Sequence, residues 1–241
     1  MWKVVIGVGA GAAAATMCLR PTRDILREAQ ASLIRIQYTN RETFEPENYS
    51  TGFLISPEGV AITSGLNVSA YKNSKAVVKL QDGREFEAEQ VVFPTAPGLG
   101  FLTVKGVEEE LKFVKPVMKS EGLKAGDKVY AIGMRGPHVF FTELYVTDTH
   151  YRSAVKEDTT ITIMDAVRTT GQVPDLCVGG PLLDSEGRAV AVLVNVEMNT
   201  GIGVALSYME KFKDEEEAGW MQQSYRRFKE GVYRMLEGFS R

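Results

Sequence analysis

The stretch that most limits what this chain can fold into is Gly179-Gly180-Pro181-Leu182-Leu183. Leu176-Cys177-Val178 precedes it, and the polar turn Asp184-Ser185-Glu186-Gly187-Arg188 follows. After the turn comes the apolar, β-branched run Ala189–Val194. Together they read as loop, turn and strand. The same grammar recurs along the chain. Ala31–Tyr38 alternates apolar and polar residues as a strand does. Pro57-Glu58-Gly59 is a turn between two apolar runs, and Gln81-Asp82-Gly83-Arg84 is an Asp-Gly hairpin turn between Ala76–Leu80 and Glu85–Glu89.

A chain of 241 residues with 44% hydrophobic and 24% charged residues can bury a substantial core, so disorder is excluded. Its net charge of −3 argues against a general nucleic-acid surface, which needs clustered Lys and Arg. Two cysteines, Cys18 and Cys177, lie in unrelated contexts, so no disulfide framework is expected. His138 and His150 are the two histidines, and no metal-ligand spacing includes them. Neither a metal nor a cofactor is expected.

Val4–Leu19 is free of charge and rich in Ala, Gly and Val. As a helix it would rise roughly 24 Å at about 1.5 Å per residue. That is slightly short of a bilayer core of about 30 Å. A cleaved secretory signal, with Ala12–Ala15 as its small-residue site, is one reading. A mitochondrial targeting segment would be more basic and less apolar. The expectation adopted is an uncleaved single-pass anchor held by lipid or by partner helices, since small residues let membrane helices pack closely. Arg20, Arg23 and Arg27 against Lys3 put the C-terminal bulk on the positive-inside face by a small margin, so the side of the membrane stays open. Pro21-Thr22-Arg23-Asp24 starts a short linker helix. At the other end, Trp220, Phe228, Val232, Met235, Leu236 and Phe239 recur at helical spacing after the acidic run Glu215–Glu217. That amphipathic C-terminal helix either folds back on the body of the protein or docks a partner.

From Ser50 on, these pieces resemble, in order, the trypsin-like serine proteases, and most of all their HtrA (DegP-like) branch. Ser50–Thr63 is similar to the hairpin G-S-G-F-I-I-S-x-D-G-Y-I-L-T, Ala76–Ala88 to V-x-L-x-D-G-R-x-F-x-A, and Leu123–Gly133 to L-x-x-G-x-x-V-x-A-I-G. Gly201–Ser207 resembles the closing strand G-I-G-F-A-I-P, and Gly179–Leu183 the end of the nucleophile loop G-N-S-G-G-P-L-L. The resemblance covers roughly residues 31–207 and implies an all-β fold of two six-stranded antiparallel β-barrels. The expected parts are an anchor and linker helix over 1–30, a first barrel over 31–112, a second over 113–207, and the helical extension over 208–241. That extension is too short for the PDZ domain that usually follows an HtrA protease domain.

The resemblance also assigns the catalytic positions, and all three are replaced. Val178 stands at the serine, Leu66 at the histidine in Thr63-Ser64-Gly65-Leu66-Asn67-Val68, and Gly98 at the aspartate in Gly98–Val104. None of these side chains can exchange a proton, which a Ser-His-Asp triad requires. Leu176 replaces a glycine of the oxyanion hole, putting that hole in doubt as well. Cys177 is one position off the nucleophile and is expected to be a buried structural residue.

The expected protein is therefore a degenerate protease, serving as a structural subunit of a membrane complex. The expected site is the mitochondrial inner membrane, in a respiratory-chain or ATP synthase assembly, with partner subunits contacted through the N-terminal helix and also the C-terminal one. A bacterial inner-membrane or periplasmic setting is the alternative. A peptide-binding or chaperone-like module using the former cleft is the second function, and an active protease with Cys177 as nucleophile the third.

Overall fold

The computed structural model describes residues 22–92, 98–117, 123–157, 160–197 and 200–207. The expected membrane anchor, Cys18 and the C-terminal helix lie outside these residues. Among the described residues, no helix is long and apolar enough to cross a membrane.

Helix α1 (Thr22–Gln30) comes first. Strands β1 (Leu33–Thr39), β2 (Pro46–Leu54) and β3 (Val60–Ser64) follow, then the six-residue helix α2 (Gly65–Ala70). Strands β4 (Lys75–Leu80), β5 (Glu85–Val92) and β6 (Leu99–Val104) complete a closed barrel in the order β1-β2-β3-β6-β5-β4. The second closed barrel has the order β10-β11-β12-β9-β8-β7. It is built from β7 (Lys128–Arg135), β8 (His138–Glu157), β9 (Thr160–Thr170), β10 (Pro181–Leu183), β11 (Ala189–Glu197) and β12 (Thr200–Ala205). The strand pairs are antiparallel throughout, so two six-stranded antiparallel barrels are present as expected.

Alternation explains how each strand serves two cores. In β1, Ile34, Ile36 and Tyr38 point into the first barrel, and Leu33 joins a separate core between the barrels. In β11, Ala191 and Leu193 fill the second barrel, and Val192 and Val194 join the inter-barrel core. Both faces of β11 are buried there, which is why Ala189–Val194 reads as an unbroken apolar run instead of an alternating one. Phe53, Ile62 and Phe101 of the first barrel meet Tyr130, Ile132 and Val194 of the second. A fully buried side chain of this size contributes roughly 1.5–3 kcal/mol.

Three local features go beyond the sequence reading. β2 pairs with β1 from Pro46 onward. Gly65–Ala70 forms a short helix, with the Tyr71 N–H donating to the Asn67 carbonyl at its end. Helix α1 is more than a connector, since Ile25 and Ala29 are buried in the inter-barrel core. Ile25 Cγ2 lies against the turn at Gly187, 3.2 Å from where a Cβ would sit.

Candidate functional site

Leu66 lies on α2, half-buried against the inter-barrel core. Gly98 is buried at the entrance to β6 with φ of +83°. Its carbonyl accepts the Gly65 N–H at 2.8 Å, so the backbone beside Leu66 is tied directly to Gly98. Val178 is half-buried and packs against the second-barrel core instead. The loop that carries it reaches the end of β3 through Gly179, where an added Cβ would lie 2.5 Å from Thr63 Oγ1 and 2.1 Å from the Thr51 carbonyl.

The loop begins with a 3-10 turn over Asp175–Cys177. Pro174 opens it in an extended conformation, the Cys177 N–H donates to the Pro174 carbonyl at 2.9 Å, and the Val178 N–H donates to the Asp175 carbonyl at 3.0 Å. Next, the Gly179 N–H donates to the Leu193 carbonyl at 2.7 Å and the Gly180 N–H to the Cys177 carbonyl at 2.9 Å. Every amide from Cys177 to Gly180 therefore has an acceptor inside the protein. An oxyanion hole needs amides that are held in place yet open to the reacting oxygen.

One residue that sequence reasoning passed over holds this loop to the first barrel. Thr51, buried on β2, donates its hydroxyl to the Leu176 carbonyl at 2.8 Å. The same Oγ1 accepts the Met134 N–H at 3.2 Å. No local pattern announces Thr51, because its partners lie far along the chain. Replacing Thr51 with Val keeps the shape and strands one buried donor and one buried acceptor. Each such orphan costs about 1–3 kcal/mol, so Thr51→Val should lose roughly 2–4 kcal/mol in urea unfolding. A loss under about 0.5 kcal/mol would mean water replaces the hydroxyl.

Cys177 is fully buried, unbridged and part of the second-barrel core. Burial pushes its thiol up to about 12. A thiol so placed supplies almost no thiolate near neutrality. His138 and His150 are both exposed on β8. The His150 N–H donates to Asp148 Oδ1 in a local turn. Iodoacetamide at pH 8 should leave Cys177 unmodified in the native chain and label it once the chain is unfolded, read by intact mass. The raised thiol also fixes a sign. Its contribution to stability is full below the ordinary value of 9.0 and is lost as pH climbs from there toward about 12.

A cavity of about 410 Å³ opens between the two barrels. Arg35, Lys79 and Gln81 line it from the first barrel, and Met134, Gly136 and Pro137 from the second.

The trypsin-like peptidase domain is the family model that matches the chain, over residues 50–192. Among solved structures, the active form of the Rv3671c protease from M. tuberculosis aligns with a TM-score of 0.64 at 20% identity, covering 82% of this chain and 85% of that one. The inactive form of the Rv3671c protease aligns with a TM-score of 0.62 at 19% identity, covering 81% and 93%. At such identities the likeness is one of fold. No curated protein matches the chain.

Proposed function

We propose that this chain, which belongs to the trypsin-like peptidase domain family, keeps that family's two-barrel body and performs none of its chemistry. The observation that carries this reading is the bond from the Val178 N–H to the Asp175 carbonyl. Valine stands at the nucleophile position, and its amide, an oxyanion donor in an active relative, is already spent inside a 3-10 turn. Leu66 and Gly98 at the histidine and aspartate positions support the same reading, since neither can move or orient a proton. The order of the hairpin at residues 50–63, the Asp82-Gly83 turn and the closing strand β12 supports placement in the HtrA branch.

A body of this kind acts by offering surfaces. The reading adopted is a structural subunit of a membrane complex, held by the apolar segment over residues 4–19, in the mitochondrial inner membrane within a respiratory-chain or ATP synthase assembly. The test is gentle detergent extraction, native-gel separation and mass spectrometry of every band that contains the chain. Co-migration with one large complex at fixed ratio is the expected result. Migration of the chain with no other subunit in the native extract, as monomer or homo-oligomer, would overturn it.

The inter-barrel cavity favours one second reading, a peptide-binding module. Its polar wall of Arg35, Lys79, Gln81 and Asp82 and its apolar wall of Met134 and Pro137 suit an extended segment with polar groups. Co-purification of peptides that Arg35→Ala releases would move this reading ahead.

A further inference from the structure

Among the described residues, the longest strand pair leaves its barrel. β8 and β9 pair from Tyr145↔Thr170 out to Glu157↔Thr160. β7 borders β8 only from His138 to Tyr145, and β12 borders β9 only at Val167 and Arg168. Register shifts between Val146 and Asp148 and between Asp148 and Tyr151 mark where β8 departs. Beyond them, residues 151–157 and 160–166 form a two-stranded ribbon with both outer edges unpaired among the described residues. A two-stranded ribbon alone is marginal in water and gains stability from a third strand.

Its two edges differ in sequence. The β8 edge carries Arg152, Lys156 and Glu157, the charges that keep strand edges from pairing. The β9 edge reads Thr160-Ile161-Thr162-Ile163-Met164, four residues of strand-forming type and a methionine, with no charge, proline or glycine before the charge at Asp165. Over these five residues it lacks those safeguards, and its register holds no bulge.

We propose that the β9 edge is covered by the same edge of a second copy of this chain, giving a four-stranded antiparallel sheet β8-β9-β9-β8 across a two-fold axis at Thr162. The pattern is self-complementary in that arrangement. Turned antiparallel on itself about Thr162, it sets Ile161 opposite Ile163, Thr160 opposite Met164 and Thr162 opposite Thr162, with no charge opposing another. Pairing β9 with a partner's β8 edge would meet Arg152 and Lys156, and would build open chains instead of a closed pair. This inference is independent of the reading of the catalytic positions.

The two-fold axis makes the test sharp. Across it the two Thr162 Cα atoms stand about 4.5–5.5 Å apart, within disulfide reach. The two Thr160 positions are displaced by four residues, about 13 Å along the strand, and cannot bridge. The full chain is prepared in mild detergent with Cys18→Ser, which leaves the buried Cys177 as the other thiol. On mild oxidation, Thr162→Cys should give a disulfide-linked dimer at least about tenfold above Thr160→Cys. Native mass spectrometry of the wild-type chain should read two copies. Ile163→Lys should read one, with the barrels' thermal unfolding unchanged. A monomeric wild-type chain, equal cross-linking at the two positions, or a dimer that survives Ile163→Lys would overturn the proposal.

Discussion

Gly180→Ala should abolish the folded protein. An added Cβ would sit 1.9 Å from the Ile132 carbonyl oxygen and 3.0 Å from that of Cys177, both backbone atoms. Gly180 cannot retreat, because its N–H is bonded to Cys177 and its carbonyl accepts the Leu193 N–H at 3.0 Å. Ile132 cannot retreat either, since β7 is paired to β8 along its length. A clash locked on both sides belongs to the rare class of substitutions costing more than about 4 kcal/mol. Domains are stable by only about 5–15 kcal/mol, so most of the margin goes. The readout is soluble yield together with the urea midpoint. A midpoint within about 1 kcal/mol of wild type would mean that the loop detaches from β7 at little cost.

Under the proposed assignment of Leu66, Gly98 and Val178 to the triad positions, installing triad residues there should not produce proteolysis. In Leu66→His/Gly98→Asp/Val178→Ser, three side chains are supplied and two backbone conditions are not. Gly98 has φ of +83°, where an aspartate is strained by about 1–2 kcal/mol. The amide at position 178 stays committed to Asp175. Losing one oxyanion donor costs roughly 10²–10³ in rate even in an otherwise intact site. Casein turnover and labelling by a fluorophosphonate should therefore remain at background in the triple variant. Labelling that appears in the triple variant and is absent from wild type would mean that the 3-10 turn opens readily.

Two of these arguments could not be read from the sequence, and the reason is the same for both. Val178 is visible in the sequence, but the direction of its amide depends on the rotation of peptide planes between Pro174 and Gly179. Thr51 looks like any strand threonine until the chain closes and brings Leu176 and Met134 to it. By contrast, Ala189–Val194 was legible because burial on both faces leaves its own signature, an apolar run with no polar partner positions. The hairpins at Pro57-Glu58-Gly59 and Asp82-Gly83 were legible because turn chemistry is local. The short helix α2 was not, since Ser64 precedes it without a side-chain cap and six residues hold too little periodicity. The outer half of β8 is illegible for a related reason, since the register shifts between Val146 and Tyr151 interrupt alternation while the backbone stays extended.

Helix α1 bears on how the molecule responds to force. Because Ile25 and Ala29 are wedged between the barrels and Ile25 rests on the turn at Gly187, a pull applied at Thr22 does not first peel β1 from its sheet. It loads the inter-barrel seam. The two barrels are then coupled like halves of a clasp with α1 as the pin. Tension from the N-terminal side must draw out this pin before it bears on β1.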